Sequence, residues 1–233
     1  MKRPTIGVLG GMGPAATTQF IARVQALTPA KCDQDHLRLI IDCNPHVPDR
    51  NAASAGGGPS PQAVLADMAR NLQTAGAELL VMPCNAAHAY ARDIAAAVTI
   101  PFLNLIDAVA DAARAEAPTA VGLLAADGCL EAGLYQQAFA RRGVEVILTN
   151  AVQQAEFMAL LYRIKAGDLG ASTRRTMGEL AEDLVARGAE VIVAGCTEVP
   201  LALAPADLAV PLADSIEILA RRTVETALGT RGG

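Results

Sequence analysis

Short apolar runs of strand length alternate along the chain with longer stretches in which apolar residues recur at helical spacing. That pattern predicts βα units and a parallel sheet. Strands are predicted at 5–9, 37–41, 78–82 and 101–105, with helices at 15–27, 62–75 and 87–97 between them. The polar, glycine-rich stretch from Asp42 to Pro61 reads as a long loop. The order then starts again, with strands at 120–124, 144–148, 190–194 and 210–213 and helices at 130–142, 153–166, 173–187 and 215–228.

The two halves agree residue by residue in places. Ala75-Gly76-Ala77-Glu78-Leu79-Leu80-Val81 matches Arg187-Gly188-Ala189-Glu190-Val191-Ile192-Val193, and the same displacement places Cys84 on Cys196. Ile100-Pro101-Phe102 resembles Val210-Pro211-Leu212, and Asp107 falls near Glu217. A shared Gly-Ala-Glu lead-in followed by a cysteine at the same distance points to duplication. In open parallel sheets, ligands sit beyond the carboxyl ends of the strands. Each cysteine follows the end of its own strand, so a pseudo-twofold axis can turn the two thiols toward one bound molecule.

Composition narrows the field. Of the 233 residues, 52% are hydrophobic and 18% charged, enough apolar material for a real core. Trp is absent, aromatics make up 3%, and the net charge is −5, which argues against a nucleic-acid or anionic-membrane partner. No run reaches the roughly 18 apolar residues of a bilayer span. Met1-Lys2-Arg3-Pro4 leads into a strand without a cleavage site, so no signal peptide is expected. Five cysteines (Cys32, Cys43, Cys84, Cys129 and Cys196), odd in number and without a CxxC, fit reduced thiols in a cytoplasm.

Inverting a stereocentre by proton transfer needs a base on one face and an acid on the other. Thiol and thiolate suit that exchange near neutral pH. Read alone, either Cys84 or Cys196 would be a small core residue; their matched positions make them the candidate catalytic pair. Both lie at strand-to-helix turns, where helix N-terminal amides are expected to favour the thiolate, and the side chains of Asn85 and Thr197 can hold a carboxylate. Cys32, Cys43 and Cys129 have no such partner. Cys84 and His88 are spaced for one metal edge, but no second ligand pair accompanies them, so no metal is expected. The run Gly7-Val8-Leu9-Gly10-Gly11-Met12-Gly13 lacks the GxGxxG spacing and the acid about 20 residues on that mark dinucleotide sites. A loop that binds a small anion or admits substrate to the backbone fits it better. Pyridoxal phosphate is disfavoured because the chain has three lysines, of which Lys2 and Lys31 lie away from any other site character.

Gly10-Gly11-Met12-Gly13-Pro14 with Thr17, Asn44-Pro45…Pro48-Asp49-Arg50, Pro83-Cys84-Asn85…Ala87-His88 and Gly195-Cys196-Thr197-Glu198 together resemble the aspartate racemase branch of the aspartate/glutamate racemase family. Glu131…Gly133-Leu134-Tyr135 and Ile164-Lys165-Ala166-Gly167 extend the likeness over essentially the whole chain. The resemblance implies an α/β fold of two pseudo-symmetric flavodoxin-like domains, their parallel sheets facing across a cleft. It also implies a homodimer and no cofactor. The expected division is 1–105 with the returning segment 214–233, against 106–213.

By that resemblance the chain is expected to be a cofactor-independent racemase of aspartate or a related acidic amino acid, with Cys84 and Cys196 as its catalytic pair. Arg50 and Lys165 match positions that hold the side-chain carboxylate. Met12, Gly13, Asn85, Ala86 and Thr197 complete the expected substrate site. A decarboxylase or cis–trans isomerase of the same superfamily is the alternative; so, from another class, is a small-anion binding protein that has lost catalysis. Two places depart from the family pattern. Ala86 stands where Thr is usual, and Ala125-Ala126-Asp127-Gly128-Cys129 replaces Ala-Thr-Thr-Gly-Thr. Each lost hydrogen bond to a charged group would cost about 1.5–3 kcal/mol, and Asp127 near an anion site would repel a second carboxylate unless paired.

Overall fold

The computed structural model describes residues 3–230; the lead at residues 1–2 and the last three residues of the segment 214–233 lie outside the described residues. The first half runs β1 (Ile6–Gly10), α1 (Pro14–Leu27), β2 (Leu39–Cys43), α2 (Arg50–Ser54), α3 (Gln62–Thr74), β3 (Leu79–Val81), α4 (Ala91–Ala96) and α5 (Leu105–Arg114). The second runs β4 (Ala120–Ala125), α6 (Asp127–Glu131), α7 (Leu134–Ala140), β5 (Glu145–Leu148), α8 (Ala151–Lys165), α9 (Ala171–Ala186), β6 (Val191–Gly195), α10 (Val199–Ala202), β7 (Leu212–Asp214) and α11 (Ser215–Leu228).

Both sheets are parallel, in the orders β2-β1-β3 and β5-β4-β6-β7. β1 and β4 are buried along their whole length, as central strands covered on both faces must be. The registers correspond. Val8 pairs with Ile41 and Val81, and Leu123 pairs with Leu148 and Val193. The fourth strand of the first sheet is reduced to a bridge between Leu80 and Phe102, the counterpart of the β6–β7 pairing.

The symmetry extends to the helices between the sheets. α1 packs on α11, α7 packs in the matching way on α5, and α5 packs on α11 where the two halves meet. Asn104 Oδ1 accepts from the Ile106 and Asp107 amides, and Asp214 Oδ1 from those of Ile216 and Glu217, so the same cap starts both helices. One core, including Val8, Phe20, Val109, Leu123, Phe139 and Leu219, runs through this helical layer and joins the halves. Two smaller cores cover the outer sheet faces.

Several elements differ from the sequence expectation. The helix expected over 87–97 opens as a 3-10 turn at Ala86–Tyr90 before α4. The one expected over 130–142 is broken by Gly133 at φ 63° into α6 and α7. The strand expected at 101–105 is the single bridge above, and α5 fills a stretch given no element. The Asp42–Pro61 loop contains α2, capped by Asp49 Oδ1. Among the described residues no helix is long and apolar enough to cross a membrane.

Candidate active site

β3 and β6 deliver Cys84 and Cys196 to one small cavity. Met12, Arg50, Cys84, Asn85, Ala86, Lys165, Cys196 and Thr197 line it together with Asn51, Ala126, Gly195 and Glu198. Its volume of about 30 Å³ holds on the order of one water. Arg50, Lys165, Thr197 and Glu198 also line an adjoining cleft of about 360 Å³, where Gly13 lies with Gly11 and Pro14. Every expected site residue thus falls in the cavity or its mouth.

The glycine run makes room for backbone to pass backbone. Gly11 has φ 92°, and a Cβ there would stand 2.4 Å from the Asn44 carbonyl carbon, so the β1–α1 turn and the loop after β2 close on each other only with glycine. Thr17 Oγ1 accepts from the Gly11 amide at 2.9 Å and donates to the Gly13 carbonyl at 3.1 Å, fixing the turn from α1.

Asn85 is held from both halves. Tyr135 donates to its Oδ1 at 2.6 Å, and its Nδ2 donates to Ser215 Oγ at 3.1 Å, leaving one amide hydrogen for a ligand. His88 supports the other side of Cys84. Its Nε2 accepts from the Leu105 amide at 3.1 Å, which fixes the tautomer. Nδ1 therefore donates to the Cys84 carbonyl at 2.8 Å. Burial pushes the His88 pKa down to about 4, so the ring is neutral. With both nitrogens engaged, His88 is not free to ligate a metal beside Cys84. Among the described residues no cluster of three His, Cys, Asp or Glu is arranged to hold one.

Cys196 differs from the sequence expectation. Its Sγ donates to Glu198 Oε2 at 3.0 Å, and Thr197 Oγ1 donates to the same oxygen at 3.0 Å. Burial, and then the Glu198 carboxylate, push this thiol well above its ordinary pKa, opposing the thiolate that helix amides were expected to favour. The helix that follows, α10, has four residues, which leaves little dipole to compete with an adjacent full charge.

The cations lie at the mouth. Arg50 Nη1 donates to the Val47 and Pro48 carbonyls at 3.3 and 3.1 Å. Burial opposes the Lys165 charge, but Glu198, Cys196 and Cys84 outweigh it and raise the pKa, so the ammonium stays charged. Neither cation forms an ion pair among the described residues. Asp127 is paired: Gln154 Nε2 donates to its Oδ1 at 2.7 Å and to the Ala125 carbonyl at 3.1 Å. It does not line the cavity. Cys129, on the buried face of α6, has its pKa raised by burial, while Cys32 and Cys43 are exposed.

Sequence reasoning gave no role to Glu198, Tyr135 or Ser215. Glu198 carried a usable signal, an acid two residues beyond the thiol where the first half has Ala86.

Fold and cavity define a two-lobed α/β protein in which each half supplies one thiol to a shared site. The family model described as Asp/Glu/Hydantoin racemase matches residues 9–223, and the chain belongs to that family. Over 229 residues it is 30% identical to the broad specificity amino-acid racemase RacX of Bacillus subtilis (strain 168), covering 96% of this chain and 98% of that one. The aspartate racemase of Picrophilus torridus superposes with a TM-score of 0.87 at 27% identity, covering 99% of this chain and 96% of that one. An aspartate racemase homologue from Pyrococcus horikoshii OT3 gives 0.79 at 27% identity, covering 97% and 99%. Racemases are isomerases.

Proposed function

We propose that the chain is a cofactor-independent racemase of aspartate or a related acidic amino acid, working by two-base proton transfer between Cys84 and Cys196. The observation that carries this reading is the arrival of both thiols, from equivalent strands of opposite halves, at one cavity. One thiolate removes the α-proton from one face while the other thiol delivers a proton to the opposite face, so the protein's proton count is unchanged. Asn85 and Thr197 take the α-carboxylate; Arg50 and Lys165 take the distal one, and Met12, Gly13 and Ala86 shape the walls. Two cations at the mouth that form no ion pair among the described residues, and Asp127 turned onto Gln154, favour a dicarboxylic substrate. The relatives' names support the racemase class and leave room for a wider substrate range. On the same reading the protein is a cytoplasmic homodimer divided into 1–105 with 214–233 and 106–213; its free cysteines accord with a reducing compartment.

The test is solvent-deuterium incorporation at Cα with each enantiomer of aspartate, glutamate and neutral amino acids. Exchange that is lost in Cys84→Ala and Cys196→Ala is expected. No exchange with any amino acid, or turnover of a disubstituted malonate or of maleate instead, would overturn the assignment.

A further inference from the structure

We propose that Glu198 makes the two thiols unequal: it is a positioning residue that keeps the proton on Cys196, so the resting protein holds Cys84 as the base and Cys196 as the acid. Its consequence for turnover rests on the racemase reading above. The geometry itself does not.

Glu198 Oε2 accepts hydrogen bonds from both Cys196 Sγ and Thr197 Oγ1, each at 3.0 Å. A thiol ordinarily gives up its proton several pH units above a carboxyl group, so the hydrogen shared between the two belongs to the sulfur. Removing that hydrogen would set a thiolate beside a carboxylate that is 7% exposed, with little solvent to screen the pair. The charged and titratable groups facing Cys196 from the packed elements are Glu198 itself, Lys165 at the end of α8, Arg50 on α2, Cys84 beyond β3 and Tyr135 on α7. Lys165 acts more on Cys196 than on Cys84 and so works against Glu198, but its largest partner is Glu198 itself, which outweighs it at Cys196. Glu198 selects one thiol, because among the described lining residues it is the one acid and it touches only Cys196 of the pair. The duplication sharpens the contrast. The position equivalent to Glu198 in the first half is Ala86, so Cys84 meets no carboxylate from its own turn.

Pulsed alkylation of the full-length protein by iodoacetamide, read at each cysteine by peptide mass spectrometry between about pH 6 and 9, tests this without turnover. Access alone would slightly favour Cys196, which is 9% exposed against 6% for Cys84. The proposal expects the reverse, with Cys84 labelled roughly tenfold faster at neutral pH. Glu198→Gln should speed Cys196 labelling about tenfold and move its pH midpoint down, while Glu198→Asp should keep it slow. Equal labelling in the native protein, Cys196 reacting first, or no response in a folded Glu198→Gln would overturn it. Should Glu198→Gln fail to fold by circular dichroism, the native comparison decides. Loss of α-proton exchange with the labelling order intact would remove the racemase assignment and leave this inference standing.

Discussion

Tyr135 of the second half donates its phenolic hydrogen to Asn85 Oδ1 of the first across 2.6 Å, inside the protein and directly behind the thiol cavity. Burial drives the phenol well above its ordinary pKa, so it stays a donor. The bond links the halves at the residue proposed to hold the α-carboxylate. Tyr135→Phe keeps the ring and leaves Oδ1 buried without its partner, a loss of about 1–3 kcal/mol. Calorimetry should record a drop of about 2–4 °C per kcal/mol for a chain of this size. The KM for aspartate should rise several-fold, because Asn85 is then held by the Ser215 bond alone. An unchanged KM in a destabilised Tyr135→Phe would confine the bond to folding.

His88 makes stability depend on pH. Its folded pKa of about 4 lies below the ordinary 6.5, so between those values the unfolded chain binds a proton that the native ring does not. Stability therefore rises with pH across that window. The contribution is fully present above about 6.5 and is lost as pH falls toward about 4, on the order of 3 kcal/mol in all. Denaturant titrations of His88→Gln between those pH values should show a flatter profile than the native protein. Parallel profiles would show that another group controls the acid transition.

The repeat of the half-chains and the meeting of the two thiols were legible in the sequence because both depend on strand order. A parallel strand puts its next residue at the ligand edge whatever the loops do. α5 was passed over although Leu105, Ile106 and Val109 recur at helical spacing behind the Asn104 cap. Asp107, Asp111 and Arg114 recur on the opposite face, so the amphipathic pattern of this helix is present in the sequence. The role of Gln154 was not legible, and that of Glu198 was legible only as an acid two residues beyond the thiol. Each is set by one side-chain hydrogen bond, to Cys196 and to Asp127, whose geometry follows from packing and not from spacing.

The mouth cations set specificity in the proposed site. Lys165→Met and Arg50→Ala each remove a charge that would meet the distal carboxylate. Each should raise the KM for aspartate about 10- to 100-fold, matching the 1.5–3 kcal/mol of a charge-assisted hydrogen bond. A neutral amino acid should be affected less than about threefold. Steady-state kinetics with both substrates reads the difference. An equal loss for the two would mean that the cations act on the α-carboxylate or on the thiols.

The inequality imposed by Glu198 has a kinetic signature. A racemisation has an equilibrium constant of one, so kcat/KM is the same for both enantiomers however unequal the thiols are. The form with Cys84 as base binds one enantiomer, and the form with Cys196 as base binds the other. An enantiomer that needs the scarcer form shows a KM raised by the inverse of that form's population, and its kcat rises by the same factor because its complex starts higher in free energy. The native protein should therefore give one enantiomer a KM and kcat that are both larger, by about tenfold for a 10:1 partition. Glu198→Gln should draw the two sets of constants together to within about twofold while kcat/KM remains equal in both directions. Matched constants in the native protein, or a gap that Glu198→Gln leaves untouched, would place the kinetic asymmetry elsewhere in the site.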